Sequence, residues 1–142
     1  MSKTKPSYIS SDAWILTSLA YAINSGKGTL SRIIGAGDYI NHAILTRSEL
    51  NGGISRLIRG DLITESDEGY ALTPDGIAVT HLEKDSKVSA YEHMKTVGES
   101  IGAAAWKPGE DPNDCDDNER MKTYVSENDL EKAFQEYKKG LK

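Results

Sequence analysis

Residues 46–76 read TRSELNGGISRLIRGDLITESDEGYALTPDG, from Thr46 to Gly76, and this stretch decides the fold. Thr46 and Glu49 have the Thr-x-x-Glu spacing of a capping box, in which each residue satisfies a free amide at a helix start. Leu50, Ile54, Leu57 and Ile58 then recur at helical spacing, which predicts one buried stripe. Gly60 and Asp61 interrupt that helix. Leu62-Ile63-Thr64 and Tyr70-Ala71-Leu72 flank Glu65-Ser66-Asp67-Glu68-Gly69, a pattern that suits a hairpin whose turn needs Gly at positive φ. Thr73-Pro74-Asp75 restarts a helix with a hydroxyl cap, a proline in the first turn and an acid near the positive helix end.

Outward from this stretch, residues 1–10 are polar, carry Lys3, Lys5 and Pro6, and read as a disordered tail. Ser10 or Ser11 caps a helix through about Asn24, with Trp14, Ile15, Leu19, Ala22 and Ile23 on its buried face; Gly26 would end it. Thr29 opens a second helix with Leu30, Ile33, Ile34 and Ile40, weakened by Gly35 and Gly37. Ile44 and Leu45 pack as the turn into the Thr46 helix. Beyond Gly76, a helix carrying Ile77, Leu82, Val88, Tyr91 and Met94 is expected towards Val97, with Asp85-Ser86 as the place for a break. Residues 98–120 are rich in Gly, Ala, Pro and acids and read as a long acidic loop. Ser126 caps a last helix with Leu130, Phe134 and Tyr137 at helical spacing and Lys138 and Lys139 near its negative end.

Helix, hairpin and helix in this order resemble the winged-helix variant of the helix-turn-helix. The likeness is closest to bacterial regulators of the MarR and PadR type, with their phrase R-L-x-x-x-x-L-I … Y-x-L-T-x-x-G. Here Arg56-Leu57, Leu62-Ile63 and Tyr70-Ala71-Leu72-Thr73-Pro74-Asp75-Gly76 carry it. The resemblance spans residues 11–85 and implies a mainly α fold with a small β-hairpin: a winged helix-turn-helix followed by C-terminal helices in residues 86–142. It further implies a DNA-binding transcriptional regulator, often a homodimer paired through helices outside the winged helix.

Net charge is −5, which does not favour a general polyanion binder, but the charge is unevenly spread. Residues 1–64 carry seven Lys or Arg against four Asp or Glu, whereas residues 110–142 carry six against ten. The candidate reading end is thus mildly basic and the tail acidic. No apolar run reaches the length of a membrane span, and no secretory signal is visible. The single Cys115 excludes an internal disulfide and a multi-cysteine zinc site, and a cytoplasmic location follows as the expectation.

If the Thr46 helix enters the major groove, its inward stripe turns Ser48, Gly52, Ser55, Arg56 and Arg59 outward, with Arg47 and Asn51 near its start. Arg pairs with guanine and Asn with adenine, while Ser chiefly anchors phosphates. Lys27 and Arg32 are placed to hold the phosphate backbone. The expected DNA-contacting set is therefore Arg47, Ser48, Asn51, Ser55, Arg56, Arg59, Arg32 and Lys27, on double-stranded DNA. Against it stands the hairpin tip, where Glu65, Asp67 and Glu68 would repel phosphates. The alternative is a winged helix used as a protein-interaction or structural module without DNA binding.

No catalytic constellation is expected, nor a cofactor or metal. His42, His81 and His93 are scattered; His42 suits a helix end and His81 a partly buried packing position within a helix. Asp114 and Asp116 would raise the Cys115 thiol rather than activate it. Asp111, Asp114, Asp116 and Asp117 lack the spacing of a calcium loop. Gly26-Lys27-Gly28-Thr29 is only a short echo of a phosphate-binding loop. Trp106 reads as an anchor for the acidic loop, with a partner- or ligand-binding aromatic as the alternative. Tyr91, Met94, Phe134 and Tyr137 read as a satellite core or a dimer interface.

Overall fold

The computed structural model describes residues 8–24, 27–66, 69–81, 87–103 and 124–140. The expectations for the first seven residues, for Trp106 and Cys115, and for the aspartates of the acidic loop lie outside these residues. Six helices and one two-stranded hairpin follow in order: α1 (Ser10–Asn24), α2 (Leu30–Asn41), α3 (Arg47–Arg59), β1 (Ile63–Ser66), β2 (Gly69–Leu72), α4 (Pro74–Thr80), α5 (Ala90–Ile101) and α6 (Glu127–Gly140). The chain is mainly helical with a small hairpin.

Helix α1 is the centre of the fold, packing on α2, α3 and α5. Every residue from Ser11 to Leu19 is buried, so its apolar stripe is wider than the expected face. Two of its buried hydroxyls are satisfied locally: Thr17 and Ser18 donate to the carbonyls of Ala13 and Trp14 one turn back, at 2.7 and 2.6 Å. Trp14 Nε1 donates to the Gly37 carbonyl at 3.0 Å, which ties α1 to α2.

Neither Ser10 nor Ser11 caps α1 as expected: Ser11 Oγ is without a partner and Asp12 Oδ2 accepts from Ile9 N instead, whereas side-chain caps open the later helices. Thr29 caps α2, Thr73 caps α4, and Ser89 caps α5. Thr46 and Glu49 complete both halves of the capping box on α3. Ser126 and Asp129 make the equivalent pair on α6, each side chain accepting from the other's amide at 3.1 Å. His42 ends α2 in the left-handed region at φ 54°, its amide donating to the Asp38 carbonyl.

The hairpin strands each run further into the expected turn, pairing Ile63 with Leu72 and Ser66 with Gly69. The outer edge of β2 is engaged by the segment before α2, because Tyr70 N donates to the Gly28 carbonyl at 2.9 Å. That approach requires glycine: a Cβ at Gly69 would lie 2.1 Å from the Gly28 carbonyl oxygen.

Beyond the hairpin two expectations are corrected. The helix expected after Gly76, with its break, is two helices, α4 giving way at His81 and α5 starting after Ser89; the first correction is His81, exposed at the helix end rather than packed within it. The buried face of α5 is also rotated, being centred on His93 and Val97, while Ile77, Val88 and Tyr91 are exposed. His93 explains the phase. Its Nε2 lies 3.0 Å from the Thr80 carbonyl, which can only accept, so Nδ1 is left to accept from the Tyr21 hydroxyl at 3.3 Å. One imidazole thereby joins α5 to α1 and to the end of α4.

The base of the hairpin accounts for the Tyr70–Gly76 phrase. Thr73 N donates to the Leu62 carbonyl at 3.1 Å, the Thr73 hydroxyl to the Asp61 carbonyl at 2.6 Å, and Gly76 N to Thr73 Oγ1 at 3.1 Å. A Cβ on Gly76 would lie 2.0 Å from the Leu62 carbonyl oxygen. Alanine favours a helix interior by about 1 kcal/mol over glycine. Here the clash is with backbone and outweighs that gain. Gly76→Ala is expected to destabilise the chain by about 1–3 kcal/mol, read from urea unfolding.

Candidate functional site

Helix α3 was expected to present a polar reading face, and it does not. Residues Leu50 to Leu57 are all buried, Arg47, Ser48, Glu49, Ile58 and Arg59 are half-buried, and none of its residues is exposed. The predicted positions of Asn51, Gly52, Ser55 and Arg56 on an outward face are thus corrected. The inward stripe is as expected, but the opposite face is covered too.

Among the described residues, two sets of contacts cover it. On one flank, Asp12 of α1 meets Arg56. Asp12 Oδ2 accepts from Arg56 Nε at 2.7 Å and Oδ1 from Arg56 Nη2 at 2.9 Å, with the two side chains 0% and 3% exposed. This is a fork-shaped pair, in which both polar edges match. Asp12 Oδ2 also accepts from Ile9 N at 3.0 Å, so the same carboxylate holds the start of α1.

On the other flank, the segment leading into α6 lies against the start of α3. Asn51 Oδ1 accepts from two successive amides, Tyr124 N at 2.6 Å and Val125 N at 3.0 Å. Arg47 Nε donates to the Val125 carbonyl at 2.8 Å. The Val125 side chain is fully buried. Two residues chosen as base readers therefore bind the chain's own backbone. Helix α6 is held further along, where Tyr137 donates to Asp38 Oδ2 at 2.6 Å and packs its ring against Gly35 of α2. That hydrogen bond, ahead of partial burial and the Asp38 charge, raises the Tyr137 hydroxyl above its ordinary value.

The other expected residues are dispersed. Ser55 is buried, Ser48 is half-buried, and Lys27 and Arg32 are exposed beside the start of α2. Arg59 is half-buried at the C-terminal end of α3. Two participants were not singled out from the sequence: Asp12 and the Tyr124–Val125 pair. Asp12 carries a readable signal, an acid in the first turn of an otherwise apolar helix. The Tyr124–Val125 pair carries none, because its role depends on contacts distant in sequence.

A cleft of about 520 Å³ opens between the start of α2, the hairpin and α6, lined among others by Thr29, Ser31, Tyr70, Tyr124, Lys132 and Glu136. Burial first, then the charge of Glu65 and the neighbouring Tyr124 and Asp129, push the Tyr70 hydroxyl up to about 12. It is a proton donor at neutral pH, not a base. Among the described residues no group of three or more His, Cys, Asp or Glu side chains is arranged to hold a metal ion.

Among the described residues no helix is long and apolar enough to cross a membrane. Comparison of the chain with protein-family models, with curated proteins and with solved structures finds no match.

The two flanks give separable expectations. Asn51→Ala leaves two amides without their acceptor and should cost about 1–3 kcal/mol. Hydrogen exchange at Tyr124 and Val125 should rise with it, more than at the core amides of α1. Removing either partner of the Asp12–Arg56 pair should cost about 3–5 kcal/mol, while a paired apolar replacement, Asp12→Leu with Arg56→Met, recovers much of that loss. Urea unfolding of the two single variants and the double variant checks this.

Proposed function

We propose that the chain is a cytoplasmic winged-helix module that works through contacts with other proteins or as a structural unit, and does not read DNA with α3. One observation carries this reading: no residue of α3 is exposed, and Arg47, Asn51 and Arg56 are committed to partners within the chain. A helix that reads the major groove must offer side chains to base edges. Three further features support it. Glu65 stands exposed at the hairpin, where a DNA-binding wing would meet phosphates, and the net charge is −5. Tyr39 is 68% exposed and Ile77 56%, large apolar side chains of the kind that protein contacts use.

The second reading, a transcriptional regulator on double-stranded DNA, retains one supporting observation. Lys27, beside the Gly28 that bonds the hairpin, and Arg32, in the first turn of α2, are exposed where the winged-helix resemblance puts backbone contacts.

Fluorescence anisotropy with duplex DNA of mixed sequence, at low and near-physiological salt, separates the two. The expected result is no saturable binding at near-physiological salt. Saturable binding that weakens steeply with salt and disappears on Arg47→Ala with Arg59→Ala would overturn the protein-module reading. Light scattering over a concentration series tests a second copy as the simplest protein partner.

A further inference from the structure

The cleft between the start of α2, the hairpin and α6 has a volume of about 520 Å³, the size of a small-molecule pocket. Its walls are held in place by contacts on every side. Tyr70 N donates to the Gly28 carbonyl, which fixes the hairpin against the segment before α2. Helix α6 is anchored before its first turn, where the Tyr124 and Val125 amides donate to Asn51, and near its last, where Tyr137 donates to Asp38. Lys132, Ala133 and Glu136 lie between those two anchors and form one wall. The cleft is thus built into the packing of three elements.

The lining is of two kinds. Leu30, Ala133 and the aromatic residues Tyr70 and Tyr124 offer apolar surface. Lys132 and Glu136 add one charge of each sign, one turn apart on α6. Charges at this spacing can pair with each other. Here they do not: among the described residues neither side chain has an ion pair or a hydrogen bond. Asp129, the third charge at the cleft, is engaged in capping, its Oδ2 accepting from Ser126 N. The Tyr70 hydroxyl has no hydrogen-bond partner among the described residues and stays protonated at neutral pH, so it is a further donor.

We propose that this cleft binds a small zwitterion with an apolar body, of the class of a free α-amino acid with an aromatic side chain. Its carboxylate meets the Lys132 ammonium and the Tyr70 hydroxyl, and its ammonium meets the Glu136 carboxylate. Its ring lies against Leu30, Ala133 and Tyr124, where aromatic packing adds to burial. A simple anion would face Glu136 uncompensated, and a simple cation would face Lys132, so each is disfavoured by like charge. Only a ligand carrying both charges answers both side chains. An α-amino acid holds the two close together, within reach of flexible side chains whose Cβ atoms are about 5–6 Å apart. The site uses no residue of α3 and holds whether the module meets proteins or DNA.

The test is a ¹H–¹⁵N NMR titration of the full chain at neutral pH with L-phenylalanine, up to about 10 mM. Saturable shifts are expected at the amides of Leu30, Ser31, Tyr70 and Tyr124. Two analogues separate the charges: 3-phenylpropionate lacks the ammonium and phenethylamine lacks the carboxylate. Each should bind about tenfold more weakly than L-phenylalanine. Lys132 and Glu136 are exposed, so Lys132→Gln and Glu136→Gln should keep the unliganded spectrum while each weakens L-phenylalanine by about tenfold. No saturable shift in the wild type, or shifts scattered away from the cleft, would overturn the proposal. So would an analogue that binds as well as L-phenylalanine, or a variant whose affinity is unchanged.

Discussion

The buried pair between Asp12 and Arg56 is the constraint around which the other contacts are arranged. A single carboxylate accepts from Ile9 N at the start of α1 and from two nitrogens, Nε and Nη2, of an arginine on α3. Helix α1 packs on α2, α3 and α5, so fixing its start against α3 sets the frame for the remaining helices. The pair is enclosed, and burying two charges costs several kcal/mol per ion before any attraction is counted. Its contribution is therefore less to net stability than to register. A slip of α1 along α3 by one turn would strand both charges in the apolar interior.

Local features of the fold were legible in the sequence because they arise from neighbours. Thr46 with Glu49, Thr29, Thr73 and Ser126 each cap a helix through a residue three positions away, and such spacing can be read directly. The hairpin was legible for the same reason, although the strands extend further than the turn residues suggested. The Y-x-L-T-x-x-G phrase turns out to be a packing rule: Thr73 bonds the chain on either side of Leu62, and Gly76 leaves room for the Leu62 carbonyl.

The outer face of α3 was not legible, and the reason is physical. Periodicity finds the apolar stripe, and it assigns the polar remainder to solvent by default. Here that remainder is covered by polar contacts. Asn51 answers amides 73 and 74 residues away, and Arg56 answers an acid 44 residues away. A polar residue that binds buried backbone looks, in one sequence, the same as one that binds water or a base. The phase of α5 failed for a related reason. Tyr91 and Val88 fit an apolar stripe, yet the buried position went to His93, whose two nitrogens bond the Thr80 carbonyl and the Tyr21 hydroxyl.

This polar covering also bears on what α3 can become. To expose its far face, the chain would have to strip the Tyr124 and Val125 amides from Asn51, the Val125 carbonyl from Arg47, and the buried Val125 side chain from its seat. All of these groups regain water on release, so the net cost is a few times the ~1 kcal/mol of a typical hydrogen bond plus about 1.5–3 kcal/mol for the side chain. That sum is comparable to the whole stability of a small domain at the lower end of ~5–15 kcal/mol. Removal of the Tyr124–Val125 segment is thus closer to partial unfolding than to the opening of a gate. Arg56 would remain enclosed even then, because its partner is α1 rather than the C-terminal segment. The helix is consequently a structural strut on one flank, and its polar groups serve the fold before they serve any ligand.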